Sequence, residues 1–117
     1  MFFASDNSSG VPEQVLAALT KANEGFALGY GADTQMDEVR EKIRAIFEAP
    51  DAAVYLVATG TTANSLALAT YVQPWQAIYC HRHAHIEEDE ANAPIFYSGG
   101  ATLRLLGGDH AKISAET

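Results

Sequence analysis

Apolar residues near the start of the chain recur at intervals of three and four positions, which is the spacing of one face of an α-helix. Pro12 suits the first helical position because its missing N–H would have no partner there, and Gly25 is a favourable end. These features predict an amphipathic helix from about residue 12 to residue 25. Its apolar stripe is Val11, Val15, Leu16, Leu19 and Ala22.

A second helix is predicted between a glycine-punctuated loop at residues 29–33 and Pro50. Thr34 and Asp37 resemble a capping box, in which side chains bind the free N–H groups of a helix start, with Asp where Glu or Gln is usual. Residues 1–50 are therefore expected to form an N-terminal helical segment. The apolar stripe of this helix is Met36, Val39, Ile43, Ile46 and Phe47.

From residue 52 onward, short apolar runs without polar alternation are typical of strands covered on both faces. The predicted strands are residues 52–58, 77–80 and 101–106, with a buried helix at about 61–71 and, after Gly107 and Gly108, a loop leading into a further helix. Alternating strands and helices favour a parallel sheet. Residues 51–117 are expected to be the first part of an α/β domain, because three strands are fewer than such a sheet normally has.

The composition is that of an ordinary globular chain, with 48% hydrophobic and 19% charged residues among 117. A formal net charge of -8 offers no basic surface to a polyanion, so no nucleic-acid partner is expected. Cys80 is the single cysteine and is expected to be a buried free thiol, as in a reducing compartment. The sequence has neither the pattern of a signal peptide nor an apolar run long enough to span a membrane. A cytoplasmic location without membrane attachment is therefore expected.

Candidate chemistry begins where the first predicted strand meets a helix, at Gly60, Thr61 and Thr62. The free N–H groups of a helix start, the freedom of glycine to turn and two hydroxyls together suit a phosphate group. The alternative is an ordinary capped turn, because short Gly-Thr turns are common and the longer phosphate loop with its lysine is absent. These residues alone leave both interpretations open.

A second candidate site is formed by His81, His83 and His85. In an extended chain these alternate residues would face one way and could hold a transition metal, with acids from residues 87–90 as further ligands of a hydrolase. Alternatively, His81 and His83 are solvated residues at a strand end. His85 differs because it lies where the strand pattern ends. Its flat ring could stack on a flat cofactor or move a proton near neutral pH.

Four short segments, taken in order, resemble the threonine aldolase / aromatic β-eliminating lyase branch of the fold type I pyridoxal phosphate (PLP) enzymes. The resemblance implies the N-terminal part of the large domain of the aspartate aminotransferase-like, PLP-dependent transferase fold, a mostly parallel sheet with flanking helices. Asn92-Ala93 departs from the pattern, because some members have two glycines there. The segments are Ser5-Asp6; Tyr30-Gly31-Ala32-Asp33; Thr59-Gly60-Thr61-Thr62-Ala63-Asn64; and Ala84-His85-Ile86 through Asp89-Glu90 and Ala93-Pro94 to Gly99-Gly100.

The resemblance also implies roles for individual residues. Gly60, Thr61 and Thr62 would bind the PLP phosphate. His85 would stack on the pyridine ring near the substrate hydroxyl, and Glu90 would be a polar support close to that ring, which makes these two the catalytic candidates. Ser5 would lie near the substrate carboxylate, and Tyr30 would line the site, from a neighbouring subunit if the protein is a homo-oligomer.

The implied activity is that of a PLP-dependent lyase of the low-specificity threonine aldolase type. Such an enzyme cleaves β-hydroxy-α-amino acids by a retro-aldol reaction, L-threonine giving glycine and acetaldehyde, in a dimer or tetramer and without a metal ion. The family also needs a lysine that binds the cofactor, and Lys21, Lys42 and Lys112 are not placed as that lysine would be. We therefore expect the chain to be a fragment that is inactive alone. Two alternatives are a metal-binding module or metal-dependent hydrolase using His81, His83 and His85, and a non-catalytic fragment whose strand edges pair with another chain.

Overall fold

The computed structural model describes residues 4–5 and 8–115. The chain forms two compact units, one up to Val54 and one from Tyr55 onward. The predicted division into domains at residues 1–50 and 51–117 stays a prediction. Asp6, which belongs to the first of the four segments, lies outside the described residues.

The first unit contains the two predicted helices, α1 (Glu13–Ala22) and α2 (Thr34–Ile46). The predicted capping box is wrong by one residue. Asp33 is the N-cap of α2, because its backbone is extended and its Oδ1 accepts a 2.8 Å hydrogen bond from the N–H of Met36. Asp37 forms an ion pair with Arg40 at 3.0 Å instead.

The apolar stripe of α1 is exposed and that of α2 is only partly buried, contrary to the sequence expectation of a core. Neither α1 nor α2 has a buried residue among those described, and Leu16 and Leu19 of α1 are more than half exposed. Ile46 and Phe47 at the end of α2 are each 75% exposed. Amphipathic spacing identifies the face that favours burial, but what covers that face is decided by contacts distant in sequence.

The second unit has the order α3 (Gly60–Ala69), β1 (Ala77–His81), α4 (His85–Glu88), α5 (Ala93–Tyr97) and β2 (Thr102–Leu106), followed by a 3₁₀ turn at Asp109–Ala111. The two strands pair in parallel, from Ala77 opposite Thr102 to His81 opposite Leu106. Helix α3 packs against α5. The predicted parallel sheet is therefore confirmed, with Ile78, Cys80 and Ala101 as its buried apolar residues.

Two sequence expectations fail in this unit. Residues 52–58 form no strand, and Tyr55 and Leu56 are exposed, because no described segment pairs with them. Helix α3 is not the buried helix that the sequence predicts, because Ser65 is its one buried residue among those described. After Gly108 the chain has the short 3₁₀ turn and irregular structure as far as residue 115, and the helix predicted to follow this loop stays a prediction.

The connection between the two parallel strands carries most of the candidate site. It runs from Arg82 through α4 and α5 and returns to β2 through Gly99 and Gly100, whose φ values are 75° and 124°. A Cβ on Gly99 would lie 3.2 Å from Cγ of Pro74, so both the backbone angle and the close approach require glycine there. No helix in the described part of the chain is long and apolar enough to cross a membrane.

Candidate active site

The start of α3 presents free backbone donors. Thr59 is the N-cap: its Oγ1 accepts a hydrogen bond from the N–H of Thr62 at 3.2 Å and lies 2.9 Å from the hydroxyl of Thr62. The N–H groups of Gly60 and Thr61 have no acceptor among the described residues. A Cβ added to Gly60 would meet nothing within 4 Å, so the space beside this helix start is open.

These donors fit a phosphate group. Two unpaired N–H groups at the positive end of a ten-residue helix form an anion site, and the hydroxyls of Thr61 and Thr62 can add hydrogen bonds. Gly60 and Thr61 are therefore available as predicted, whereas Thr62 also takes part in the helix cap. The structure shows the cap, and it leaves other donors of the same turn free for an anion, so binding of a phosphate here stays a prediction.

His85 and Glu90 come together at the other part of the candidate site. Nδ1 of His85 lies 2.9 Å from Oε1 of Glu90; the imidazole is 64% exposed and the carboxylate side chain is fully buried. The same Oε1 accepts a 2.7 Å hydrogen bond from the side-chain amide of Asn64, in α3. Hydrogen bonds therefore connect Asn64, in the helix that carries the candidate anion site, to the buried carboxylate of Glu90, and connect that carboxylate to the exposed ring of His85.

The backbone between Glu90 and α5 turns sharply. Ala91 and Asn92 both have left-handed angles, with φ of 47° and 64°. An alanine in this conformation costs about 1–2 kcal/mol, whereas asparagine tolerates it. The turn overlaps Asn92-Ala93, where some members of the family that the sequence resembles have two glycines. It directs the Glu90 side chain into the interior.

His81 is buried, with 6% of its surface exposed, so the interpretation of His81 as a solvated strand-end residue is wrong. Its Nδ1 accepts a 3.0 Å hydrogen bond from the N–H of His83, and so carries no proton. Its Nε2 therefore donates to the carbonyl oxygen of Gly108 at 3.1 Å. The ring joins the end of β1 to the segment after β2, and neither nitrogen is left for a metal or a substrate.

The metal interpretation of the three histidines is not supported. Strand β1 ends at His81, so the chain is not extended through His83 and His85, and the alternate side chains do not converge. His83 is exposed and pairs with Glu88 at 2.7 Å, as expected of a solvated residue. Among residues 4–5 and 8–115, no cluster of three His, Cys, Asp or Glu side chains could hold a metal ion.

Cys80 in β1 is buried and free, as the sequence predicts. Burial raises the pKa of its thiol above the ordinary value, and the negative charge of Glu87 raises it further. The group therefore stays protonated near neutral pH and behaves as a small apolar side chain.

The two predicted substrate residues belong to the first unit. Ser5 is exposed, and its carbonyl oxygen accepts a 3.2 Å hydrogen bond from the N–H of Ser8. Tyr30 is fully exposed and has a left-handed φ of 61°. Their proposed contacts with substrate stay predictions.

Asn64 is the functional candidate to which the sequence assigned no role. It follows Gly60 by four positions and so lies on the same face of α3. That spacing was visible in the sequence. Its contact with Glu90, 26 positions away, was not.

Comparison with known proteins identifies the family of this chain. Residues 3–117 match the profile of the beta-eliminating lyase family. The chain is 38% identical over 112 residues to a low specificity L-threonine aldolase of Pseudomonas sp. strain NCIMB 10558, and 39% identical over 112 residues to the protein of that name from Pseudomonas aeruginosa. Each alignment covers 96% of this chain and 32% of the relative, so the chain spans about a third of the length of these relatives.

The solved structure of a Leishmania major threonine aldolase is also similar, with a TM-score of 0.85 and 26% identity over 95% of this chain and 32% of that one. The likeness confirms the predicted fold type I α/β class. The profile match over residues 3–117 shows that this chain belongs to the beta-eliminating lyase family.

Proposed function

We propose that this chain is part of a PLP-dependent lyase of the low-specificity threonine aldolase type. The observation that carries the proposal is the exposed imidazole of His85 held by the buried Glu90, which Asn64 links to the helix that also presents the open anion site. Family membership and the names of the two Pseudomonas relatives support it. The proposed substrates are β-hydroxy-α-amino acids, with L-threonine giving glycine and acetaldehyde.

The residues of α3 would hold the cofactor by its phosphate. Gly60 and Thr61 would donate their backbone N–H groups, and the hydroxyls of Thr61 and Thr62 would add charge-assisted hydrogen bonds. Electron withdrawal from Cα of the amino acid is the chemistry that PLP supplies when bound. His85, whose ring is exposed, would stack on the pyridine ring.

His85 is the proposed base for the substrate hydroxyl. A carboxylate only accepts hydrogen bonds, so the contact with Glu90 places the proton of the neutral imidazole on Nδ1 and leaves the lone pair on Nε2. Nε2 can accept the proton of the β-hydroxyl while the Cα–Cβ bond breaks and the Cβ–O bond becomes a carbonyl. The buried carboxylate of Glu90 then stabilises the imidazolium.

Further parts of the proposal concern the complete protein. Ser5 would bind the substrate carboxylate, and Tyr30 would line the site of a neighbouring subunit in a homodimer or homotetramer. The exposed apolar face of α1 and the exposed end of the apolar face of α2, at Ile46 and Phe47, are consistent with cover from another chain or segment. A cytoplasmic location is proposed on the free, buried Cys80.

Product analysis tests the proposed reaction. The complete protein, supplied with PLP and L-threonine, should release glycine and acetaldehyde in equal amounts. Release of ammonia and a 2-oxo acid instead would indicate β-elimination, and no turnover with cofactor bound would contradict the proposed lyase activity. His83→Ala is a matched control for His85→Ala, because both imidazoles are exposed and each contacts a glutamate.

A further inference from the structure

We propose that Asn64 is a positioning residue that acts through Glu90 to fix the tautomer and orientation of His85. The catalytic meaning of this inference rests on the proposed function, because it assumes that Nε2 of His85 accepts a proton. The contacts themselves do not depend on that assumption.

The carboxylate of Glu90 depends on few donors. Its Oε1 accepts hydrogen bonds from Asn64 Nδ2 at 2.7 Å and from His85 Nδ1 at 2.9 Å. Its Oε2 is buried without a partner among the described residues. A buried carboxylate is costly unless donors satisfy it, so each of the two contacts at Oε1 matters for holding the group in its buried position.

Loss of the Asn64 amide should therefore change His85. With one donor removed, Glu90 would be left buried and under-satisfied, and its carboxylate would rotate towards water. That rotation moves the acceptor that keeps a proton on Nδ1 of His85. The ring, which is largely exposed, would then be free to carry its proton on Nε2 instead.

The contact between Asn64 and Glu90 joins two parts of the candidate site that are distant in sequence. One helical turn separates it from Gly60, so a single helix presents the open N–H groups and holds Glu90. Helix α3 also packs against α5, which begins three residues after Glu90. Asn64 therefore fixes the imidazole relative to the anion site.

A purely structural role for Asn64 makes a different prediction. The residue is exposed, so its truncation leaves no cavity, and both Ala and Leu are better helix formers than Asn. If Asn64 only supported the fold, Asn64→Ala would alter the melting temperature and leave the His85 tautomer unchanged. The tautomer is therefore the readout that separates the two roles.

The experiment measures that tautomer in the complete protein, without cofactor, by solid-state ¹⁵N NMR of histidine-labelled samples at about pH 8.5, where an ordinary imidazole is neutral. The His85 signals are assigned by their loss in His85→Gln. We compare the natural protein with Asn64→Ala, Asn64→Leu, which keeps the branched shape without polar atoms, and Asn23→Ala. Asn23 is an exposed amide at the end of α1 and serves as the matched control.

The expected result is one Nδ1–H tautomer in the natural protein and in Asn23→Ala, and loss of about half or more of that signal in both Asn64 variants, since an unconstrained ring samples both tautomers. An unchanged Nδ1–H signal in either folded variant would overturn the inference, as would an Nε2–H tautomer in the natural protein. Unfolding of both variants would overturn it too, because it would make Asn64 structural. The readout needs neither cofactor nor substrate, so a protein that failed to bind PLP would refute the proposed function and leave this test intact.

Discussion

Nδ1 of His85 and Oε1 of Glu90 lie 2.9 Å apart, and the two side chains have opposite environments: the ring is 64% exposed and the carboxylate is fully buried. An exposed imidazole anchored by a buried acid has a fixed orientation and one nitrogen open to a ligand. His83 provides a contrast in the same segment, because its partner Glu88 is itself about half exposed and holds the ring only at the surface. The same pair of residue types therefore occurs in two different environments within eight positions.

The first prediction separates these two histidines. In the complete protein, His85→Ala should lower kcat for cleavage of L-threonine by about 100-fold or more, the usual contribution of a general base. His83→Ala should change kcat by less than about twofold, since exposed ion pairs contribute little. Steady-state kinetics at saturating PLP measures both. Equal losses in the two variants would contradict the assignment of His85.

The second prediction concerns the helix start. Replacing both Thr61 and Thr62 by Ala removes hydroxyls that can bind the phosphate, and each charge-assisted hydrogen bond is worth about 1.5–3 kcal/mol. The dissociation constant of PLP should therefore rise tens-fold or more, as measured by fluorescence titration. Thr70→Ala is the control, because Thr70 caps the opposite end of α3 through a 2.6 Å bond to the carbonyl of Ala67. Unchanged PLP affinity in the double variant would mean that this turn is only structural.

The third prediction assigns a structural role to His81. Its ring is buried and both nitrogens are hydrogen-bonded, so His81→Ala should lower the free energy of unfolding by about 1–3 kcal/mol. At temperatures where the variant is folded, kcat should fall no more than a few-fold. Urea denaturation and kinetics on the same samples test this. Loss of activity at unchanged stability would instead indicate a direct role in the site, as the metal interpretation required.

The fourth prediction follows from the raised pKa of Cys80. A raised folded-state pKa means that the thiol stays protonated to higher pH in the folded protein than in the unfolded chain. Its contribution to stability is therefore present below the unfolded pKa and is lost as the pH rises through the folded pKa. Near pH 8, iodoacetamide should alkylate the folded protein much more slowly than it alkylates free cysteine. The reaction of the Cys80→Ala variant gives the background to subtract. Alkylation as fast as that of free cysteine would contradict the burial of this thiol.

Local patterns in the sequence predicted the helices well. The spacing of apolar residues located α1, α2 and α3 within a few residues, and the alternation of runs predicted parallel pairing of β1 and β2. These features depend on neighbours within one or two turns. Burial did not follow in the same way, because the apolar stripes of α1 and α2 indicate a need for cover without identifying what provides it.

The features that could not be predicted are contacts between distant positions. The burial of His81 depends on the carbonyl of Gly108, 27 positions away, and the role of Asn64 depends on Glu90, 26 positions away. Residues 52–58 have the composition of a strand, but a strand forms only beside a partner. Resemblance to a known family singled out both His85 and Glu90, whose side chains are in contact, whereas residue spacing alone left the metal site open.

Titration of the cofactor-free complete protein with PLP, followed by visible absorbance, measures directly whether this chain carries a PLP site. We expect saturable binding of one PLP per chain, with the dissociation constant raised in the variant that lacks the hydroxyls of Thr61 and Thr62. A complete, folded protein that shows no visible band and no saturation at any PLP concentration would contradict it.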